Sequence, residues 1–342
     1  MGNRIRDWGL NPGRMIPGTR NSITDVPGVQ VGHYTVHNEK HHTGITVILP
    51  REEIYYHPCT AACHVINGYG KTTGLIQIEE LGQLETPIAL TNTLNVGLVY
   101  DALVEYTSGQ CRNHGDLLKS VNPVVGECND GSLNAIRKRI LGYEQTMEAI
   151  RYAGIEAAEG NVGAGAGMVC HGLKGGIGTA SRIVRLNDRV FTVGMLALCN
   201  HGMLAELNIL GRKPGAEILS RMEALTKSED SGSCILVLAT DLPLSSRQLK
   251  RVVKRGAAGL ARCGSYYGHG SGEITIGFTT AHDLERNGEQ IVRNLPVLRE
   301  DCLNDAFAAA AECAEECVLN ALAAAEPVKQ CHCLREFRDL LS

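Results

Sequence analysis

The chain has 342 residues, which allows one large domain or two and a core large enough to fold without cross-links. Its 33 basic and 37 acidic side chains give a net charge of −4, which argues against a nucleic-acid partner, since such proteins need a clustered basic face. No apolar run approaches the roughly 18 residues of a membrane span, Met1–Pro17 lacks the apolar stretch of a signal peptide, and the 13 cysteines have no framework spacing. We therefore expect a cytoplasmic enzyme with reduced cysteines and no membrane partner.

Strands and helices are predicted to alternate in the first part of the chain. A short strand follows a turn within residues 21–33, and β-branched residues favour a second strand soon after it. Apolar residues at helical spacing then predict helices before and after one more strand. The predicted elements are strands at Thr43–Leu49 and Thr86–Leu90, and helices at Lys71–Leu81, Val96–Tyr106 and Tyr143–Ala158.

The middle of the chain has a different character. Three successive segments rich in strand-forming residues are separated or interrupted by glycines, which predicts antiparallel pairing through hairpins. These segments are Asn161–Cys170, Gly175–Leu186 and Arg189–Leu198. A polar stretch, Leu225–Gly232, then has the composition of an exposed loop. The nearly continuous apolar run Ser233–Ala239 that follows it predicts a strand buried on both faces.

The last part of the chain adds two predicted helices around one strand. An amphipathic helix is expected at Ser245–Arg262, an alternating strand at Glu273–Thr279 and an alanine-rich helix at Asn304–Ala325. The strands after residue 160 follow one another without helices between most of them. Two packed sheets flanked by layers of helices, an α/β (α+β) fold, therefore fit the pattern better than a parallel wound sheet.

The junction between Gly232 and Ser233 is the sharpest chemical feature. Glycine permits backbone conformations closed to other residues, so the Ser233 hydroxyl can reach back to the Gly232 carbonyl. Attack there would give an ester by an N-to-O acyl shift, and water would complete a cut that leaves Ser233 at a new N-terminus. Its α-amine, with an ordinary pKa of about 7.7–8.0, could then act as the general base for the hydroxyl. The alternative is an ordinary turn from loop to strand.

Two further segments carry polar groups suited to the same chemistry. Ser271 and Glu273 follow a glycine-rich turn and share one face of the predicted strand. The serine could hold the nucleophile or relay a proton, and the glutamate could orient the serine hydroxyl or balance the charge of an ammonium. The alternative is a glycine-rich turn with two solvated polar residues. Asn200, just after a strand, could donate its amide to a developing oxyanion, or could simply form an Asx turn.

Neither a cofactor nor a metal is expected. The run Gly160–Gly167 resembles a dinucleotide-binding loop, but a β-like segment follows it where that loop should open a helix. The groups Cys59–His64 and Cys331–Cys333 lack the paired ligand spacing of a structural zinc site. We therefore predict an enzyme that works with its own side chains alone.

Seven segments between residues 20 and 325 together resemble one family, the L-aminopeptidase D-amidase/D-esterase group, which includes the β-peptidyl aminopeptidases. Their order and combination carry the resemblance, since no single motif is specific enough. The segments are Asn21–Gly28, Leu90–Gly97, Gly126–Gly131, Gly160–Gly165, Lys174–Arg182, Gly232–Pro243 and Gly270–Glu273.

The resemblance implies a single catalytic domain, residues 1–342, folded as a four-layer αββα sandwich similar to the N-terminal nucleophile hydrolases but with different connectivity. It implies self-cleavage into subunits 1–232 and 233–342 that stay together, and a tetramer of such heterodimers. It also implies site roles, namely Ser233 as nucleophile, Ser271 and Glu273 as its support, Asn200 as oxyanion donor and Glu127 as the group that holds the substrate's free ammonium.

Some positions depart from the family's pattern. Asn129 and Ser132 lie in a loop where some members carry an aromatic residue that contacts substrate. Asn129 is therefore a candidate substrate-binding residue, and the preference among L, D and β residues stays open. Cys234 follows the nucleophile where an aliphatic residue is usual, and the tail 328–342 differs from the family's usual ending.

The expected function is a serine aminopeptidase, amidase or esterase that releases N-terminal residues from small peptides, amides or esters through an acyl-enzyme on Ser233. One alternative is an acyltransferase that passes the same acyl group to an amine; related enzymes of that kind use a threonine nucleophile, and no threonine opens this strand. The other alternative is a non-catalytic scaffold that stays uncut.

Overall fold

The computed structural model of the protein describes residues 4–222, 231–286, 291–329 and 331–341. The helices of this part are α1 Leu75–Leu81, α2 Val96–Asn113, α3 Tyr143–Arg151, α4 Gly215–Met222, α5 Ser246–Val253, α6 Gly256–Arg262 and α7 Asn304–Ala324. The strands are β1 Gln30–His37, β2 His42–Leu49, β3 Cys59–Gly68, β4 Gln83–Leu84, β5 Ile88–Asn92, β6 Val124–Cys128, β7 Val169–Cys170, β8 Leu173–Lys174, β9 Gly176–Leu186, β10 Arg189–Asn200, β11 Ser231–Thr240 and β12 Gly270–Thr279.

Two large sheets contain all of these strands except β7 and β8, which pair with each other in a small third sheet. One has four strands in the order β1-β2-β5-β6, and the other has six in the order β4-β3-β12-β11-β10-β9. Within the six-stranded sheet, β11 runs parallel to β12 and antiparallel to β10, while β9 and β10 form the predicted hairpin. β11 is therefore a central strand, and its first three residues contain the Gly232–Ser233 junction.

Three apolar layers set the order of the sandwich. Val99 and Leu103 of α2 pack on the outer face of the four-stranded sheet. Ile235 of β11 and Ile276 of β12 belong to the core between the two sheets. The other face of the six-stranded sheet is covered by α5, α6 and α7, which share a core that includes Leu236. This is the αββα layer order that the sequence predicted.

Two predicted elements have a different form. The run predicted as a strand at Asn161–Cys170 is mostly a short 3-10 helix, Gly163–Gly167, followed by the two-residue β7. A Cβ on Gly165 would lie 2.5 Å from the Ile177 amide nitrogen, so its glycines serve close packing rather than strand formation. The helix predicted at Ser245–Arg262 is two helices, α5 and α6, because the chain turns at residues 254–255 and brings Gly256 against Leu236.

The sequence did not predict the two-residue strands β4 and β8, nor two longer strands, β3 and β6. β3 is ten residues long and pairs antiparallel with β12 along most of its length. Its first half, Cys59–Cys63, is fully or nearly buried, yet it consists of small side chains that show neither alternation nor a strong apolar run. β6 contains Gly126, Glu127 and Cys128, and this mixed composition does not predict a strand, although the strand is buried along its whole length.

The ends of the predicted loop and of the chain also differ from expectation. Most of the polar stretch 225–232 lies outside the described residues, but Ser231 and Gly232 are the first residues of β11, so the strand begins two residues earlier than predicted. The atypical tail packs into the core, since Leu334, Phe337 and Leu341 are buried against the helix layer. Within the described ranges, no helix is both long enough and apolar enough to cross a bilayer.

Candidate active site

The site is assembled where β10, β11 and β12 lie side by side. Ser233 on β11 pairs with Asn200, the last residue of β10, and with Gly272 on β12. Ser233 is 6% exposed and Asn200 is 7% exposed. The sheet register therefore brings three segments together that are far apart in the sequence, and it encloses them almost completely.

The Ser233 hydroxyl lies against the peptide bond that precedes it. Its Oγ donates a hydrogen bond to the Gly232 carbonyl oxygen at 2.5 Å. A Cβ on Gly232 would stand 2.0 Å from the Asn200 carbonyl oxygen, so no larger residue fits at this position without movement of the backbone. The hydroxyl is thus held beside the carbonyl group that it would have to attack.

The amide of Asn200 is fixed at both ends. Its Oδ1 accepts a hydrogen bond from the Val169 amide at 2.8 Å, and its Nδ2 donates to the Asn129 carbonyl at 3.1 Å. The accepting oxygen is thereby identified, so the NH2 end is oriented away from Val169. An amide held in this way is a preorganised donor close to Ser233. Asn129 itself is exposed and contributes its backbone carbonyl here.

Ser271 and Glu273 form a buried pair in which the serine hydroxyl donates to the glutamate carboxylate. They share one face of β12, as strand periodicity predicts. A Cβ on Gly272 would lie 3.2 Å from the Ser233 Oγ, so Gly272 and the Ser233 side chain face the space between the sheets. Ser271 and Glu273 therefore point to the opposite, helix-facing side, beside Cys234, which pairs in register with Glu273.

Glu127 lies at the end of β6, in the neighbouring sheet. Its carboxylate is 2% exposed and accepts hydrogen bonds from the Lys71 amide at 2.9 Å and from the Thr93 hydroxyl. The segment 69–71 connects this carboxylate with the junction, because the Tyr69 carbonyl packs against Gly272. Glu127 is thus a buried carboxyl group held in a fixed orientation, and the residue after it, Cys128, contacts the Ser233 carbonyl oxygen through its Sγ at 3.3 Å.

Comparison with known proteins places this arrangement in a family. A sequence model of peptidase family S58 matches residues 21–333. The chain belongs to peptidase family S58. It is 37% identical, over 349 residues, to beta-peptidyl aminopeptidase BapA of Sphingosinicella xenopeptidilytica, with 95% of this chain and 86% of that protein covered. This confirms the resemblance that the sequence motifs indicated, and it makes the protein a hydrolase of the aminopeptidase type.

Solved structures support the same assignment. The PH0078 protein of Pyrococcus horikoshii OT3 superimposes with a TM-score of 0.92 at 40% identity, covering 99% of this chain and 98% of that one. The L-aminopeptidase D-Ala-esterase/amidase of Ochrobactrum anthropi does so with a TM-score of 0.89 at 33% identity, with 99% and 98% covered. The latter is described as a variant of the Ntn hydrolase fold, which this S58 peptidase shares.

Several residues of this S58 peptidase support the site although sequence reasoning gave them no role. Lys174 is fully buried, and its ammonium donates to the carbonyls of Gly165, Met168 and Gly175, which fixes the loop that carries Val169. Burial lowers the Lys174 pKa to about 7. A lysine beside two glycines is typical of an exposed turn, so the sequence alone does not show that Lys174 supports Asn200.

Asp130 is a second supporting residue, and the sequence gave it no role beyond its place in the motif Gly126–Gly131. It is fully buried and accepts hydrogen bonds from the Thr43 hydroxyl at 2.5 Å and the Asn134 amide at 3.0 Å. Burial raises its pKa to about 6. These contacts hold the loop after β6, whose Asn129 carbonyl receives the Asn200 amide.

Proposed function

We propose that this S58 peptidase cuts itself between Gly232 and Ser233 and then uses Ser233, as a new N-terminus, to release N-terminal residues from small peptides, amides or esters. The contact between the Ser233 hydroxyl and the Gly232 carbonyl is the observation that carries the proposal. No cofactor enters the scheme.

Self-cleavage needs only groups already in contact. The Ser233 oxygen adds to the carbonyl carbon of Gly232, the bond from that carbon to the Ser233 nitrogen breaks, and the nitrogen takes a proton. The Gly232 acyl group is then an ester on Ser233, and water hydrolyses it to a free carboxyl and a free hydroxyl. Asn200 is the nearby donor suited to the oxyanion that forms in both additions.

In the cut enzyme, the Ser233 α-amine is the base for its own hydroxyl. An α-amine has an ordinary pKa of about 7.7–8.0, so part of it is neutral near pH 7. The backbone nitrogen of a strand residue lies in the plane of the sheet. Ser271 and Glu273 therefore approach the amine from the helix-facing side. Their role is to orient this amine and to balance its positive charge when it is protonated, while the hydroxyl faces the substrate.

Substrate selection follows from Glu127. A buried carboxylate near the nucleophile favours a substrate with a free ammonium group, through a charge-assisted hydrogen bond. Asn129, exposed beside it, is placed to contact the substrate's side chain or backbone. The relatives named above act, by their names, on β-peptidyl, L-amino and D-alanyl substrates. We assign this chain to the same substrate class, namely short amides and esters with a free N-terminal amine.

The two products of the cut stay together. Residues 1–232 supply β3, β9 and β10, and residues 233–342 supply most of β11 and all of β12, which lie between β3 and β10. Separation would break the pairing of β11 with β10 and of β12 with β3. The proposal includes a cytoplasmic tetramer of these heterodimers.

The test compares Ser233→Ala with Ser120→Ala, an exposed serine that serves as the control. Release of p-nitroaniline is measured from the anilides of β-alanine, L-alanine and D-alanine, with and without an N-acetyl group. We expect Ser233→Ala to lose roughly 10³-fold or more of the activity, Ser120→Ala to keep it, and the acetyl group to abolish turnover. Full activity in Ser233→Ala would refute the proposal.

A further inference from the structure

One thiol and two imidazoles meet on the helix-facing side of the six-stranded sheet. Cys170 ends β7, His171 follows it in the turn to β8, and His201 follows β10 directly. All three side chains are buried, and one ligand atom from each lies within 4.8 Å of the other two. The Cys170 Sγ and the His201 Nδ1 are 4.0 Å apart. The site chemistry proposed above uses none of these groups.

His171 has the orientation of a metal-binding histidine. Its Nδ1 lies 3.0 Å from the Met203 carbonyl oxygen, which can only accept, so the ring proton is on Nδ1. Its Nε2, with a lone pair, is buried and has no hydrogen-bond partner within the described part of the chain. A carbonyl that fixes one ring nitrogen while the other faces ligands is the usual support for a metal-bound imidazole.

The backbone at this turn is also unusual. His171 adopts a left-handed conformation with φ of 48°, which few residues other than glycine adopt. Its amide donates to the His201 carbonyl at 2.7 Å, which locks the two histidines together. A Cβ on Gly202 would lie 2.4 Å from the His171 ring, so glycine at this position makes room for the imidazole. The local chain is therefore built around the position of this ring.

A further soft donor lies next to the three. Cys170, Cys199 and Cys234 belong to the same buried cluster on this side of the sheet. Cys199 is the penultimate residue of β10 and His201 directly follows the strand, so these two side chains, two residues apart, lie on the same side of the sheet. Zinc takes thiolate at about 2.3 Å and imidazole at about 2.0 Å, so the ligand atoms of a tetrahedral site lie about 3.3–3.8 Å apart. Shifts of about 1 Å would bring the present atoms to that spacing.

We propose that Cys170, His171 and His201 form a binding site for one zinc ion, with Cys199 or a water as the fourth ligand. Binding releases the Cys170 thiol proton and uses both imidazoles in the neutral form. The sequence could not indicate this site, because His201 is 31 residues from Cys170 and the two meet through the packing of β7 beside β10.

The site adjoins the processing junction. His201 follows Asn200, and a Cβ on Gly232 would lie 3.0 Å from the His201 Cα. A bound metal would hold the end of β10 in place beside Gly232 and Ser233. Zinc is therefore expected to stabilise the fold in the uncut and the cut protein alike, through preferential binding to the native state.

The test uses Co²⁺ as a spectroscopic substitute for zinc. Cys302 and Cys331, the two cysteines that are not buried, are first changed to serine to remove adventitious binding. Metal-free protein is titrated with Co²⁺, both folded and during refolding because the site is enclosed. In this background, Cys170→Ala and His171→Asn remove one ligand each. Asparagine tolerates the left-handed backbone, so His171→Asn keeps the turn. Cys111→Ala, a buried thiol on α2, is the control.

We expect one Co²⁺ per chain with a sulfur-to-metal charge-transfer band, and displacement of the cobalt by zinc. Cys170→Ala should lose the band, His171→Asn should weaken binding by at least about tenfold, and Cys111→Ala should match the parent. Zinc should raise the melting temperature of the parent and the control but not of Cys170→Ala. A folded parent without stoichiometric binding, or a band that persists in Cys170→Ala, would overturn the proposal.

Discussion

Single glycines allow the backbone of the site to close around Ser233. A Cβ on Gly232 would lie 2.0 Å from the Asn200 carbonyl oxygen, and a Cβ on Gly272 would lie 2.5 Å from the Tyr69 carbonyl oxygen, so neither position has room for a side chain. From residue types and spacing the sequence indicated Ser233 and the pair of Ser271 and Glu273 as separate candidates, and the family resemblance joined them in one site. It could not show that the Ser233 hydroxyl and the Ser271–Glu273 pair occupy opposite faces, since that depends on the register between β11 and β12.

Glu127→Gln tests the residue that is proposed to hold the substrate's ammonium. The amide keeps the size of the side chain but removes its charge, so binding of amine substrates should weaken by about 1.5–3 kcal/mol, or roughly ten- to a hundredfold in KM. Self-cleavage should continue, because the junction carries no free ammonium. Steady-state kinetics on β-alanine and L-alanine anilides provide the measurement. Glu144→Gln, an exposed residue of α3, is the control. An unchanged KM in Glu127→Gln would remove this role.

Elements with strong periodicity were predictable, and elements built for close packing were not. α7 and the β9–β10 hairpin lie where the apolar pattern placed them. β3 was missed because its buried half consists of small side chains, and the 3-10 helix Gly163–Gly167 was taken for a strand. In both cases the deciding factor is contact with another element, which a local pattern does not contain.

The contact between α7 and the N-terminal segment depends on a buried charge network. Glu316 accepts hydrogen bonds from Arg6, Asn21 and Arg182, and Arg182 is also fully buried. The two guanidinium groups hold the Glu316 pKa below its usual range, although burial alone would raise it.

Glu316→Ala would leave two arginines partly or fully buried without their shared carboxylate. The free energy of unfolding should fall by about 3–5 kcal/mol, as it does when one partner of a buried ion pair is removed. Urea unfolding of the uncut Ser233→Ala background gives the measurement. Asp301→Ala, which removes an exposed ion pair with Arg299, should cost less than about 1 kcal/mol. Equal losses in the two variants would show that this network does not stabilise the fold.

At the scale of the whole molecule, one sheet contains strands from both sides of the proposed cut. The αββα layers and the burial of β11 on both faces were predictable from composition and apolar runs. The strand order β3-β12-β11-β10 was not, because it depends on long-range pairing, such as that of Thr60 with Thr279 between β3 and β12. If the proposed cut occurs, separation of the two pieces would therefore require this sheet to come apart.

The stability of the molecule should depend on pH through His33. Burial lowers its pKa to about 4, partly offset by the Ala158 carbonyl. Below about pH 6.5 the unfolded chain binds a proton on His33 that the folded protein does not bind. The contribution of His33 to stability is therefore fully present above about pH 6.5 and is lost as the pH falls from there to about 4. Urea unfolding in the Ser233→Ala background at pH 7.5 and pH 5 should show a loss of roughly 1–2 kcal/mol more in the parent than in His33→Gln. Identical pH dependence in both would contradict this.

The most direct test of the account is the intact mass of the freshly purified protein under denaturing conditions, followed over time. We predict two species, residues 1–232 and residues 233–342, with the second beginning at Ser233, and a single uncut species of 342 residues in Ser233→Ala. A wild-type protein that hydrolyses its substrates while it remains entirely at the full-length mass would contradict the claim that Ser233 acts as a new N-terminus.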